Sequence, residues 1–386
     1  MKANAELDVI VYGATGYTGQ LVAEHFARHY GAGSGVKWGL AGRSLDRLAQ
    51  VRDEIKAPDK IPLVVADAAD RSSLRAMAER TKVVLTTVGP YQLYGSDLVA
   101  ACAASGTDCL NLSGEPNWMR AMIDAHHDEA RRTGARILHS AGFDSIPFEL
   151  GVYFTQGLAR RKFGHPVARV KGRVRAIRGG LSGGTAASGR ATREAAMKDP
   201  AVIRLLMDPF ALTPGFKGPD QPRGDKVEQD ADLGAQVAPF MMAAINTKNI
   251  HRSNLLQGHA YGADFVYDEM AVVASGGSAA DFTLPDANSG PKPGEGPSKE
   301  ERESGFYDLL FIGIDKDGAQ VRGAVHGQKD PGYGSTSMII AETAICLLQN
   351  GEKAPGGVSL PGAALGQDLV DRLQARAGLS FKEEQA

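Results

Sequence analysis

Leu7-Asp8-Val9-Ile10-Val11-Tyr12-Gly13-Ala14-Thr15-Gly16-Tyr17-Thr18-Gly19 reads as a buried strand that runs into three glycines and then into a helix. A glycine-rich turn in that position lets backbone N–H groups approach a pyrophosphate at the helix N-terminus, where the helix dipole favours negative charge. The spacing is Gly-x-x-Gly-x-x-Gly rather than the commoner Gly-x-Gly-x-x-Gly, and it marks a dinucleotide site only because strand, loop and helix follow in that order. Gly13, Ala14, Thr15, Gly16, Tyr17, Thr18 and Gly19 are therefore expected to cradle a cofactor.

The next strand decides which cofactor. Sites for NAD place Asp or Glu about 20 residues beyond the loop, against the ribose 2′-OH. Here Trp38-Gly39-Leu40-Ala41 ends in Gly42-Arg43-Ser44, with Arg47 one turn into the following helix and no acid at the strand end. A guanidinium matches phosphate geometry and keeps its charge. Gly42, Arg43, Ser44 and Arg47 therefore point to NADP(H), the alternative being a solvated arginine beside an undiscriminating site.

Outward from this pair, residues 7–150 alternate strand and helix signals. Apolar runs at Val9–Tyr12, Trp38–Ala41, Pro62–Val65, Val83–Val88, Cys109–Leu112 and Arg136–Ser140 are separated by amphipathic stretches, among them Thr18–His29 and Ser72–Arg80 with Asp70 as its cap. This rhythm predicts a Rossmann-type α/β fold with a doubly wound parallel sheet. Beyond Gly151 it changes. Val167–Arg178 alternates like a half-exposed strand; Ala186–Met197 reads as a helix; Thr213–Asp232 and Asp281–Glu303 read as loop. Phe306–Asp315 and Gln320–His326 form a hairpin signal around Asp317-Gly318, and helices are expected at Gly334–Asn350, capped by Ser335 or Ser337, and at Gly366–Ala377.

The 386 residues allow two domains, and a formal charge of −2 gives no argument for nucleic acid. Cys102, Cys109 and Cys346 show no metal-ligand spacing and suit a reducing compartment. With no leader signal and no long apolar run, the expected location is the cytoplasm, with peripheral contact at the inner membrane face left open by the basic strand Arg169, Lys171, Arg173, Arg175 with Arg178. That strand also reads as a solvated sheet face. No metal is expected, and a homodimer is the default, through the half-exposed strands of the second domain.

Ligands of an open parallel sheet bind at the carboxyl ends of its strands. Strand three ends at Asp67, a candidate for the adenine edge; strand four leads into Val88-Gly89-Pro90-Tyr91-Gln92-Leu93-Tyr94; strand five into Ser113-Gly114-Glu115; strand six into Gly142-Phe143-Asp144-Ser145-Ile146-Pro147. Val88, Gly89 and Pro90 are expected beside the nicotinamide. Tyr94 is read as the proton donor and Asp144 with Ser145 as the next choice, against structural roles such as a tyrosine bonding across a loop or an aspartate capping a helix. Glu115 reads as a helix cap. Phe240-Met241-Met242 reads as core or as an acyl pocket, and Gly179–Gly184 as a turn or a second ligand loop. No tyrosine is followed four residues later by lysine, which argues against a short-chain reductase.

The stretches Val11–Gly19, Ala41–Ser44, Thr86–Tyr91, Tyr94-Gly95, Ser113–Glu115, Gly142–Pro147 and Asp330-Pro331-Gly332-Tyr333-Gly334 together resemble the saccharopine dehydrogenase-like oxidoreductases, on the branch with the mycobacterial trans-acting enoyl reductases. The resemblance implies an NADP domain over residues 1–150, an inserted α+β domain over 151–330 for substrate and dimerisation, and C-terminal helices (331–386) that return to the first domain. It further implies NADPH-dependent reduction of an enoyl group on an acyl-lipid substrate in lipid or glycolipid assembly, in trans to an acyl-carrying synthase. The rivals are a saccharopine-type amino-acid or imine dehydrogenase and a non-catalytic NADP- and lipid-binding protein.

Overall fold

The strand that feeds the glycine loop, β1 (Leu7–Tyr12), is almost wholly buried and lies inside a seven-stranded parallel sheet. The computed structural model describes residues 5–31, 33–179, 183–273 and 294–385. On one side β1 pairs with β2 (Trp38–Gly42), followed by β3 (Leu63–Val65). On the other it pairs with β4 (Thr81–Thr86), followed by β5 (Asp108–Asn111), β6 (Arg136–Leu138) and the late strand β13 (Gly357–Ser359). The winding reverses between β1 and β4, so the ligand crevice of this doubly wound sheet opens there.

The helices that cover it follow from local signals. Tyr17–His29 (α1) starts at Gly16; Leu45–Glu54 (α2) starts at Ser44, whose hydroxyl accepts from Arg47 N; Arg71–Glu79 (α3) starts at Asp70, whose carboxylate accepts from Ser72 N. Beyond β4 come a single turn, α4 (Tyr91–Tyr94), then α5 (Ser96–Ser105) and α6 (Pro116–Thr133). After β6, α7 (Ile146–Phe163) carries the chain to the second sheet. Gly151 makes that passage possible, because a Cβ there would lie 2.1 Å from the Phe311 ring.

The second sheet is mixed. Its centre is β7 (Arg169–Arg178), parallel to β10 (Val266–Val272) and antiparallel to β11 (Phe306–Ile314). The expected hairpin joins β11 to β12 (Gln320–Gly327), and β14 (Leu379–Glu384) completes that side. Beyond β10 lie β9 (Ala235–Pro239) and β8 (Glu228–Asp230). The helices α8 (Gly183–Lys198) and α9 (Pro200–Met207) follow β7, and α10 (Ala243–Leu256) precedes β10. The Gly179–Gly184 and Asp281–Glu303 stretches fall partly on residues 180–182 and 274–293, outside the described residues; against the loop readings, Lys299–Ser304 forms a short helix and Glu228–Asp230 the strand β8.

The basic strand departs from both of its readings. Arg173 is 2% exposed and pairs with Asp230 and Asp268, each at 2.7 Å. Lys171 pairs with Asp230 and Asp232, Arg169 with Asp268, and Arg175 with Asp308 and Glu384. The cations from Arg169 to Arg175 are therefore neither a freely solvated face nor free for lipid headgroups: acids from β8, β10, β11 and β14, with Asp232, neutralise them within the sheet, while Arg178 at the strand end is exposed and forms no ion pair with any described residue.

The chain's end stitches the sheets together. In α12 (Thr336–Asn350), Glu342 lies 2.7 Å from His25 Nε2 and accepts from Tyr30 OH and Arg372 Nε, tying it to α1 and to α13 (Pro361–Arg376). The start of α12 corrects the serine-cap expectation. Asp330 accepts from the N–H groups of Tyr333 and Gly334 across a wide helical turn, Pro331–Ser335, and Ser335 faces Tyr307 OH at 2.9 Å instead. Phe240 is core, 5.7 Å from the Phe148 ring, and the two following methionines pack against core clusters. His127 Nδ1 accepts from Val358 N at 3.2 Å, which ties α6 to β13.

Candidate functional site

The three loop glycines have different reasons to be glycine. Gly13 has φ +88°, and a Cβ there would sit 2.8 Å from Thr87 Oγ1. A Cβ on Gly19 would sit 2.0 Å from Gly13 O, so this residue lets the helix close on the loop. Gly16 is exposed and would meet only Gly13 O, at 3.4 Å. Nothing in the protein demands glycine there; the open space lies in front of the α1 N-terminus, which has no side-chain cap and no acid in its first turn. That is a cradle which a side chain would obstruct and an anion would complete. Ala14 is buried, its N–H and that of Gly13 donating to Ala41 O, and Gln20 Nε2 donates to Thr15 O.

At the end of β2, Arg43 and Arg47 are exposed and make no ion pair with any described residue. Ser44 holds the start of α2. Burial pushes the Tyr12 hydroxyl up to about 12, with the charges of Asp67 and Arg43 acting on it in opposite senses, which places both side chains near the end of β1. The Asp67 carboxylate accepts from Ala69 N at 2.9 Å and so is partly spent on its own turn.

Beyond β4, Val88 N donates to Thr86 Oγ1, and a cis peptide joins Gly89 to Pro90 at the start of α4. Glu115 is buried and its carboxylate accepts from Tyr91 N, Gln92 N and Ser188 Oγ, so it caps a helix, as expected, but α4 rather than the helix it precedes. Tyr91 is buried between Thr86 O and Leu112 N. Tyr94 ends α4 half exposed, its hydroxyl bonded to no described residue.

Beyond β6 the two remaining candidates diverge. Ser145 is buried, donating to Asn246 Oδ1 and accepting from Asn249 Nδ2, each at 3.0 Å. Asn246 in turn donates to Glu269, which also accepts from Tyr267 OH; burial pushes Glu269 up to about 8. Ser145 thus fastens the loop to α10 and the second sheet. Asp144 is half buried, and its carboxyl bonds to no described residue. Burial, together with the neighbouring Asp330 charge, pushes it up to about 6. Asp330 leads to Tyr333, whose hydroxyl meets Thr185 of α8 at 3.0 Å and whose ring packs edge-on against Tyr17 at 5.3 Å. Contacts therefore run from Asp330 through Tyr333 to Tyr17, the first residue of α1, while Asp330 acts on the acid after β6 through its charge. The roles of Asp330 and Tyr333 escape a reading of strand ends, because they come from the far end of the chain; the Asp330–Gly334 motif was their only trace.

A strand–glycine–helix cradle with free cations beside it, facing an unpaired acid, defines a dinucleotide-dependent oxidoreductase site. The profile of the saccharopine dehydrogenase NADP-binding domain matches residues 9–138. A Mycobacterium tuberculosis protein described as a trans-acting enoyl reductase is 39% identical over 412 residues, covering 98% of this chain and 97% of that protein. The trans-acting enoyl reductase of Mycobacterium ulcerans is 35% identical, covering 96% of each. The saccharopine dehydrogenase (L-Glu forming) of Saccharomyces cerevisiae shares the fold, with TM-score 0.51 and 11% identity over 98% of this chain and 100% of that one. The chain belongs to the saccharopine dehydrogenase-like family of NADP-dependent oxidoreductases, together with the trans-acting enoyl reductases.

Proposed function

We propose that the protein reduces an enoyl double bond of a lipid-type acyl substrate presented by an acyl-carrying synthase. The observation that carries this reading is the likeness to trans-acting enoyl reductases along 98% of the chain. The cofactor fits the residues present. The backbone N–H groups of Thr15, Tyr17 and Thr18 would hold the pyrophosphate; Gly42, Arg43, Ser44 and Arg47 the 2′-phosphate; Asp67 the adenine edge; Val88, Gly89 and Pro90 the nicotinamide side. When bound, NADPH supplies the hydride that reaches the β-carbon.

The chain's own task is the proton. Asp144, raised to about 6, keeps a proton on its carboxyl in mildly acidic solution and delivers it from Oδ to the α-carbon, so that C=C becomes C–C with hydride and proton accounted for. Asp330 sustains that state, since two neighbouring carboxylates resist joint ionisation. Ser145 acts as a positioning residue by fixing the loop. Tyr94 is the second candidate donor. Exposed Leu93 and Tyr94 on α4, joined through the Gln92–Thr192 hydrogen bond to the helices bearing exposed Met197, Ile203 and Met207, give an apolar rim suited to an acyl partner. The paired cations of β7 speak against the imine reading, which needs free basic groups for substrate carboxylates.

The test is NADPH consumption with enoyl thioesters, imines and carbonyl compounds. Turnover of an enoyl thioester supports the proposal. Turnover of an amino-acid imine alone transfers the protein to the dehydrogenase reading, and no consumption with any substrate leaves an NADP-binding protein.

A further inference from the structure

We infer that Arg302 is a phosphate ligand of the dinucleotide site, carried over the glycine loop by the segment 294–304. This rests on the reading that the cofactor's pyrophosphate lies at the N-terminus of α1. Arg302 belongs to α11 (Lys299–Ser304), far in sequence from the loop, yet its guanidinium carbon sits 5.7 Å from the centroid of the Tyr17 ring. Its Nη1 donates to Tyr17 OH at 2.8 Å and to Pro297 O at 2.7 Å, and Tyr17 OH also meets Pro297 O. Tyr17 is the first residue of α1, directly after Gly16. The tyrosine assigned from sequence to the cradle thus has its side chain latched to a cation from elsewhere.

The main chain of Arg302 is held on both sides. Its N–H donates to Ser298 O at 3.0 Å and its carbonyl accepts from Asp330 N at 2.9 Å. The neighbouring Glu301 makes no ion pair with it: that carboxylate is turned to Ser298 N, from which it accepts at 2.7 Å in a capping box. Nε and Nη2 of Arg302 bond to no described residue. The half-buried guanidinium makes no ion pair with any described residue: the charges of Asp330 and Glu301 reach the Tyr17 hydroxyl, but both carboxylates accept from backbone N–H groups, and the proximity of the cation to the positive end of a helix is unfavourable. An anion between the two reverses the sign: the helix N-terminus and the free guanidinium edge then bind it from opposite sides. A diphosphate is such an anion, and Gly16 leaves the space for it.

The experiment measures dissociation constants of NADPH and NADH for the folded full chain, with thermal melts of the free proteins as a control on folding. Arg302→Gln should weaken both dinucleotides by the same factor, on the order of 10–100-fold, as expected for a lost charged hydrogen bond. Arg302→Lys should recover part of it, and Tyr17→Phe, which keeps the cation, should cost far less than Arg302→Gln. Unchanged binding in Arg302→Gln, a loss confined to NADPH, or equal losses in Tyr17→Phe and Arg302→Gln would overturn the inference. Failure of the underlying reading is separate: there, wild type would saturate with neither dinucleotide.

Discussion

The carboxyl edge of the first sheet and the strand β7 of the second use the same residue types in opposite ways. On β7 every cation from Arg169 to Arg175 meets a carboxylate. At the first sheet's edge Arg43, Arg47 and Asp144 meet none among the described residues. Paired groups hold a fold; unpaired ones in a crevice are available to something that arrives. The difference locates function here better than charge density does, since the denser basic stretch is the inert one.

The largest effect that can break this contrast is at Asp144. Asp144→Asn should lower kcat by roughly 10²–10⁴-fold, as for a lost general acid. In wild type the active form is the protonated one, so kcat should fall as pH rises through about 6. Steady-state rates across pH 5–8 check both, and an Asp144→Asn enzyme with full turnover would return the role to Tyr94.

On the paired side, Arg173→Ala should cost up to about 3 kcal/mol of stability, because Asp230 and Asp268 lose their shared buried partner and keep only Lys171 and Arg169. Urea unfolding measures it. The variant's NADPH affinity, read below the unfolding transition, should stay near wild type, which separates the two regions.

The glycines sharpen the contrast at a smaller scale. Gly16→Ala should leave the melting temperature of the free protein within a degree or two yet weaken NADPH about tenfold. Gly19→Ala, with its Cβ 2.0 Å from Gly13 O, should lower the melting temperature as well. Calorimetry of the free and NADPH-bound proteins distinguishes these patterns.

What sequence made legible follows the same division. The parallel sheet is readable because Val9–Tyr12 and Val83–Leu85 are buried on both faces and so form continuous apolar runs. The glycine loop is readable because backbone geometry forces residue type. The partners of β7 are not: Asp230, Asp268 and Glu384 look like surface acids until the sheet brings them to Arg173 and Arg175. Likewise nothing in their residue type marks Asn246 and Asn249 as buried, although both are 1% exposed on α10, where they hold Ser145. The three-residue β13 is too short to leave a periodic signal, and the wide turn after Asp330 displaces the expected serine cap. Long-range polar pairing is what a linear reading lacks.

The most direct test of the central claim, that the unpaired cations after β2 serve an incoming phosphate, is titration of NADPH and NADH into wild type and Arg43→Ala. Wild type should bind NADPH more tightly by about tenfold or more, and Arg43→Ala should abolish most of that preference while leaving NADH affinity unchanged. Equal affinities in wild type, unaltered by Arg43→Ala, would contradict it.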